Sequence, residues 1–157
     1  MSATKTMDAA VARLVDIEAV KQLKARYCYL VDDAQWDELE NLWTEDAVCD
    51  YGFFGRFLGR QAIMNDFFRT LVASASTFNA HMLHNPIIEL EGDGADASWY
   101  FTAHTTVNGR ALLAMGKYRD RYVRVQGQWK IAAIAVEFKY YTPLEEGWVK
   151  TPMWQPA

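Results

Sequence analysis

The sequence lacks features that several large protein classes require. Only two cysteines occur among 157 residues, Cys28 and Cys49, and neither their number nor their spacing suggests a disulfide framework or a metal site. Basic residues form no stripe and the formal net charge is −4, so we do not expect nucleic acid as a partner. No glycine-rich phosphate loop is present.

Membrane, metal and cofactor classes are also disfavoured. No apolar run is long enough to span a bilayer, and residues 1–16 contain no apolar stretch of signal-peptide type. We therefore expect a cytoplasmic protein without a membrane partner. The three histidines are separated along the chain in a way that is not metal-ligand spacing, so the sequence predicts neither a metal nor a cofactor.

Large aromatic side chains are abundant instead. Aromatic residues make up 14% of the sequence and hydrophobic residues 51%, in a length that fits a single domain over residues 1–157. This content suits a pocket for an apolar small molecule, and it equally suits an ordinary aromatic core. Composition alone leaves both open.

Helical periodicity marks the beginning of the sequence. Apolar residues recur every three or four positions over residues 8–31, which predicts a long amphipathic helix. Tyr27 lies on the apolar stripe, either as a core residue or as a catalytic one. The basic residues of this helix fall mostly off the stripe: Lys21, Lys24 and Arg26.

Two aspartates end this helix, where a negative charge opposes the helix macrodipole. Either Asp32 or Asp33 can cap the short helix that follows. Because one cap does not need two carboxylates, the other aspartate is available for a second role. A third helix is predicted over residues 60–72, after a hairpin or irregular segment rich in glycine and phenylalanine at residues 52–59.

The second half of the sequence is typical of strands joined by hairpins. Alternating apolar and polar residues predict strands over residues 78–90, 95–107, 112–125 and 129–141, separated by turn sequences such as Asn108-Gly109. With the helices, this order predicts an α+β fold, a cone-shaped α+β barrel in which a curved antiparallel sheet wraps around three amino-terminal helices. The conical space inside is a natural small-molecule site.

Two of the three histidines lie on the predicted strand over residues 78–90. Side chains alternate faces along a strand, so His81 and His84 point to opposite faces, and Pro86 is expected to shift the register beyond them. We predict that His81 points into the cavity. The apolar tail, residues 142–157, is expected to pack over the cavity mouth or against another subunit.

Seven features in chain order carry a resemblance: residues 26–32, Trp36, residues 42–47, His81 with Asn85, the Gly92-Asp93 turn with Ala95, residues 116–120 and residues 127–131. They resemble the SnoaL-like proteins of the nuclear transport factor 2-like superfamily, over about residues 10–150. Within that superfamily the sequence is similar to scytalone dehydratase, bile acid 7α-dehydratase and hexachlorocyclohexane dehydrochlorinase. All three are eliminating enzymes that use no cofactor.

The resemblance implies a general base held by a carboxylate, with His81 as the base and Asp32 as its partner. Tyr27 and Tyr51 match tyrosines of these enzymes, and a phenol at such a position can hydrogen-bond a developing enolate oxygen. His104 matches a position that is an aspartate in the bile acid enzyme. His84 matches no motif, and we interpret it as structural.

Other parts of the site stay open at this stage. The strand face that carries His104 is either the cavity wall or a face toward a partner subunit. The shape of the pocket, and therefore the substrate contacts, are expected to depend on seven apolar residues: Phe53, Phe54, Phe57, Met64, Met82, Leu113 and Met115.

The resemblance, together with these residues, implies a cofactor-independent lyase, which carries out dehydration or a related elimination on a small cyclic or aromatic-like molecule. An isomerase or polyketide-type cyclase that uses the same base is an alternative. A non-catalytic binding or assembly module, including the small subunit of a dioxygenase, is another. The resemblance also implies a homo-oligomer, either a trimer or a dimer.

Overall fold

The computed structural model describes residues 3–155. Helix α1 and the short helix α2 precede two strands, β1 and β2, which a single 3-10 turn (Gly52–Phe54) connects. A helical segment, α3, follows, and then four long strands, β3 to β6, and a short helix, α4. The bounds are α1 Ala3–Asp32, α2 Trp36–Glu40, β1 Trp43–Asp50, β2 Arg56–Leu58, α3 residues 60–75, β3 Ser76–Glu91, β4 Gly94–Val107, β5 Arg110–Val125, β6 Gln128–Pro143 and α4 Gly147–Lys150.

Helix α1 is longer than its apolar stripe predicts and packs on the sheet only through its second half. Val20, Tyr27 and Leu30 are buried, whereas the side chains of residues 7–15 are exposed. The middle of α3, Ile63–Val72, is a π-helix that turns Ile63, Met64, Phe67 and Phe68 toward the core. No helix within residues 3–155 is both long and apolar enough to cross a membrane.

The six strands form one open sheet in the order β2-β1-β6-β5-β4-β3. Strands β3 to β6 pair in an antiparallel meander, which confirms the predicted hairpins and the α+β class. Strand β1 differs from the expectation because it pairs with β6 in parallel. No short turn joins these two strands, so the hairpin signals that revealed the other pairings could not reveal this one.

The two faces of the sheet are distinguished most clearly in β4. Its odd-numbered residues from Ala95 to Val107 are buried, and none of the even-numbered residues from Asp96 to Thr106 is. The buried side faces the helices and forms the core, as expected from side-chain alternation along a strand. This division decides which predicted site residues reach the interior.

Strand β3 contains two irregularities that set its register against β4. The pairing shifts between His84 and Ile87, where Asn85 has a positive φ of 49° and precedes Pro86. The predicted register shift at Pro86 is therefore confirmed. A second shift lies between Ser76 and Phe78, at the start of the strand.

Candidate active site

A cavity of about 410 Å³ lies between the helices and the buried face of the sheet. Helices α1 and α3, the turn after β1, strands β3 to β6 and Gln155 all contribute to its wall. Aromatic rings dominate the lining, among them Phe53, Phe54, Phe67, Phe101, Phe138 and Tyr141. A space of this size and character is typical of a site for a small, mostly apolar molecule.

Asp32 and His81 form the best-defined polar pair at this cavity. The Oδ1 atom of Asp32 lies 2.5 Å from Nδ1 of His81, and Oδ2 accepts the backbone N–H of His81 at 2.8 Å. Both carboxylate oxygens therefore hold the same residue. Helix α2 begins after Gln35 without a side-chain cap, so neither Asp32 nor Asp33 has the capping role that was the alternative.

His81 and Asp32 lie at different distances from the cavity. His81 lines the cavity, whereas Asp32 lies behind the ring and borders a smaller cleft of about 150 Å³. The carboxylate accepts a hydrogen bond from Nδ1–H, which fixes the tautomer and leaves a lone pair on Nε2. No side chain of residues 7–155 hydrogen-bonds Nε2. The side chains of His81 and Asp32 are 17% and 19% exposed, so the pair is largely shielded from solvent but accessible to a ligand.

Tyr27 and Tyr51 add a second polar group to the lining. Their hydroxyls lie 3.1 Å apart, and both residues are buried. Burial raises the pKa of each phenol well above its ordinary value, so both stay protonated. Because each hydroxyl carries one proton, one donates to the other and the second remains able to donate to a ligand oxygen.

Three of the predicted substrate contacts are phenylalanines near the turn after β1. Phe53 and Phe54 line the cavity and pack against Tyr141. Phe57 does not line it and instead packs against Phe67, with the ring centroids 5.1 Å apart. Phe57 thus supports the wall from outside.

The other four predicted contacts lie away from the cavity. Met64 is fully buried in the core beneath α3. Met82, Leu113 and Met115 are on the outer face of the sheet, because they alternate with residues that point inward. The structure therefore does not place these four predicted substrate contacts at the cavity.

The other two histidines also lie outside the cavity. His104 is exposed on the outer face, and its neighbours Ala103 and Thr105 are the residues that line the cavity. The polar face of β4 is therefore not the cavity wall, and the acid–base role transferred to His104 has no support in the structure. His84 is exposed, and its Nε2 lies 3.1 Å from Oγ1 of Thr102.

A polar cluster beside His81 was missed from the sequence. Oγ of Ser76 and Oγ1 of Thr105 lie 2.9 Å and 2.8 Å from Oδ1 of Asn79. All three residues line the cavity. A signal existed for Asn79, because it is two residues before His81 and so shares its strand face. Nothing in the sequence indicated the bulge that brings Ser76 to the same side.

A buried ion pair lies beneath the cavity, and it too was missed. Nζ of Lys24 is 2.9 Å from Oδ2 of Asp120, and neither side chain is exposed. The ammonium group sits 3.6 Å from the ring centroid of Tyr118, a cavity-lining residue. Burial raises the pKa of Asp120, and Lys24 opposes that rise. The apolar stripe predicted for α1 does not include Lys24, so the sequence pattern did not indicate its burial.

The carboxy-terminal tail packs along β6 and reaches the cavity. The backbone N–H of Trp154 donates to the carbonyl of Tyr141 at 2.7 Å, and Gln155 lines the cavity.

Within residues 3–155, no group of three or more His, Cys, Asp or Glu side chains is arranged to hold a metal ion.

Sequence comparison gives a family match over most of the chain. A family model for a SnoaL-like domain matches residues 12–135. An uncharacterised protein of Mycobacterium tuberculosis is 27% identical over 124 residues, which cover 77% of this chain and 84% of that protein.

Solved structures give a matching result for the fold. A scytalone dehydratase-like protein from Novosphingobium aromaticivorans has a TM-score of 0.78 at 22% identity, covering 85% of this chain and 91% of that one. A hexachlorocyclohexane dehydrochlorinase from Novosphingobium barchaimii has a TM-score of 0.79 at 20% identity, covering 94% and 99%. At such identities the likeness shows a shared fold.

Proposed function

The chain belongs to the SnoaL-like domain family, and from that premise we propose that it is a cofactor-independent lyase. Its substrate is a small cyclic molecule with a carbonyl group and a leaving group on the β carbon. One observation carries the proposal. The carboxylate of Asp32 holds Nδ1 of His81 at 2.5 Å, and His81 lines a largely apolar cavity of about 410 Å³.

The first step is proton abstraction at the carbon next to the carbonyl. Nε2 of His81 takes the proton, and the electron pair of the C–H bond forms an enolate. Asp32 stabilises the imidazolium that results, because its carboxylate already accepts from Nδ1. A general base placed in this way contributes about 10²–10⁴-fold to the rate.

The enolate oxygen faces the tyrosine pair in this mechanism. The hydroxyl of the Tyr27–Tyr51 pair that does not donate within the pair donates a hydrogen bond to the enolate oxygen. In a setting of low dielectric such a bond is worth more than in water. Both phenols are buried and protonated, so the donor does not need to be recruited from solvent.

The second step breaks the bond between the β carbon and the leaving oxygen. The enolate electrons form the new carbon–carbon double bond, and the departing hydroxide takes the proton from Nε2 to become water. The products are an α,β-unsaturated carbonyl compound and water, and His81 returns to its neutral state. The same histidine acts first as base and then as acid.

The position of His104 favours a second candidate, an isomerase. With that histidine on the outer face, His81 alone serves as base and acid in the cavity, and an isomerase has no leaving group that must be protonated. A reaction in which His81 removes a proton and returns it to another carbon needs only the residues in place. A polyketide-type cyclase would begin with the same abstraction.

The test is a screen of cyclic β-hydroxy ketones with purified protein, followed by absorbance and mass spectrometry. A product lighter by one water supports the lyase, and a product of unchanged mass supports the isomerase. We expect His81→Ala to abolish either activity, and His84→Ala, a matched change on the outer face, to retain it. Tight binding of these ketones by both variants without any turnover would indicate a binding module instead.

We further propose that the chain acts as a cytoplasmic homo-oligomer, either a trimer or a dimer. Half-buried apolar side chains on the outer sheet face, including Met82, Leu113 and Met115, support an assembly through that face. Sedimentation velocity at micromolar concentration tests it, and a monomer under those conditions would contradict the oligomer.

A further inference from the structure

Asn79 occupies a position beside the base that the mechanism above does not use. It precedes His81 by two residues on β3, so the two side chains share the cavity face, with Cα atoms roughly 7 Å apart. Asn79 pairs in register with Thr105, and His81 pairs with Ala103. All four residues line the cavity.

The amide of Asn79 directs its oxygen toward two hydroxyl groups. Oδ1 is the acceptor for two hydroxyls, Oγ of Ser76 at 2.9 Å and Oγ1 of Thr105 at 2.8 Å. The shift in register between Ser76 and Phe78 is what brings Ser76 onto the cavity side. With both lone pairs of Oδ1 occupied, the amide presents Nδ2, which has no hydrogen-bond partner among the side chains of residues 7–155.

A donor at this place meets a chemical requirement of the substrate. The tyrosine pair comes from α1 and the turn after β1, on a different wall from β3. A substrate that presents its carbonyl to the tyrosines and its α proton to Nε2 of His81 has its β substituent close to the β3 wall of the cavity. Asn79 is a neutral donor two residues from His81, on the same strand face.

We propose that Asn79 determines specificity by donating from Nδ2 to an oxygen bonded to the β carbon of a cyclic ketone. The cavity then prefers β-oxygenated ketones to ketones of the same shape without that oxygen. The assignment of this oxygen as the leaving group rests on the proposed function. The binding preference itself does not, because it requires no bond to break.

Isothermal titration calorimetry with two probes tests the preference. The probes are α-tetralone and 4-chromanone (chromanone below), which have the same bicyclic shape. They differ at one ring position, where α-tetralone has a methylene and chromanone has an ether oxygen bonded to the β carbon. We expect the wild type to bind chromanone roughly fivefold more tightly, the size of one neutral hydrogen bond. In Asn79→Leu this ratio falls to about one, and in Asn65→Leu, a matched change on the exposed face of α3, it is retained.

A second variant keeps the test decisive if Asn79→Leu does not fold. Asn79→Asp preserves the shape and the acceptor for Ser76 and Thr105, but it replaces the donor with an acceptor. It should therefore bind chromanone more weakly than α-tetralone. Equal ratios in the wild type, Asn79→Leu and Asn79→Asp would overturn the proposal.

The same titrations separate this proposal from the proposed function. His81→Ala should keep the preference for chromanone, because the base is not part of the contact. A protein that shows the preference and no elimination refutes the lyase and supports the role of Asn79. A protein that eliminates water while its Asn79 variants keep the wild-type ratio of affinities supports the lyase and refutes the role of Asn79.

Discussion

The buried ion pair beneath the cavity gives a prediction whose size follows from the structure. Replacing Lys24 with Met leaves the carboxylate of Asp120 without its ammonium partner at a position that has no exposure to solvent. Methionine fills much of the volume of the lysine stem, so the change removes the charge with little change in packing. The ammonium group also leaves the face of the Tyr118 ring.

Breaking a buried ion pair by removing one partner costs about 3–5 kcal/mol, because the remaining charge is uncompensated. For a domain of this size, such a loss lowers the melting temperature by roughly 10 °C. A second substitution, Asp120→Asn, removes the orphaned charge and keeps an acceptor for the hydroxyl of Tyr122. The double variant should therefore recover at least half of the lost free energy of unfolding.

The loss should also depend on pH, with a definite sign. Burial raises the pKa of Asp120 and Lys24 opposes the rise. The pKa of Asp120 is therefore higher in the Lys24→Met variant than in the wild type. The unfolded carboxyl stays ionised, and the native state of the variant binds a proton first as the solution is acidified. The difference in free energy of unfolding is therefore largest near neutrality and shrinks in mildly acidic buffer.

Urea unfolding of the wild type, Lys24→Met and the double variant measures these differences. A cost below about 1 kcal/mol for Lys24→Met, the range of an exposed pair, would refute the reasoning. A double variant that is no more stable than Lys24→Met would refute it as well.

Three further predictions concern the cavity and its supports. Replacing both Tyr27 and Tyr51 with Phe should lower kcat roughly 100-fold with little change in KM, since it removes every donor of the pair that can act on the developing oxyanion; an unchanged kcat in steady-state kinetics would contradict this. His104→Ala should leave kcat/KM within about twofold, as expected for an exposed residue on the outer face; a larger loss would contradict its placement. Gly116→Ala should cost roughly 1–3 kcal/mol in urea unfolding, because an added Cβ would collide with the carbonyl of Glu137 and approach the ring of Phe101 at 3.0 Å; an unchanged midpoint would contradict it.

Much of the fold could be predicted because its signals are local. The periodicity of α1 and the turn sequences between the long strands depend on residues close together in the chain. Their consequence, an antiparallel meander from β3 to β6, follows without knowledge of distant contacts. The parallel pairing of β1 with β6 joins residues more than eighty positions apart, and no local signal reports it.

The candidate site was predictable only in part, for a related reason. Alternation predicts that His81 and His84 face opposite sides, but which side is the interior depends on where α1 and α3 pack. The polar face of β4 left that choice open for His104, and the structure places the residue outside. The surplus carboxylate at the end of α1 pointed to either Asp32 or Asp33, and only the resemblance to the SnoaL-like proteins selected Asp32.

The burial of Lys24 illustrates the limit of a single-helix pattern. A lysine off the apolar stripe is expected in solvent, and only the position of Asp120 on β5 provides the compensating charge. That partner lies almost a hundred residues away in sequence. Pairings of this kind become visible when the sheet has been assembled over the helix.

The central claim is that His81, held by Asp32, removes a proton from carbon inside the cavity. The most direct measurement is the exchange of the α protons of α-tetralone in heavy water, followed by NMR, because it requires neither a leaving group nor a known product. The proposed role predicts that the wild type and His84→Gln accelerate this exchange, whereas His81→Gln leaves it at the buffer rate. Exchange at the buffer rate with wild-type protein saturated by the ketone, or equal acceleration by His81→Gln, would contradict it.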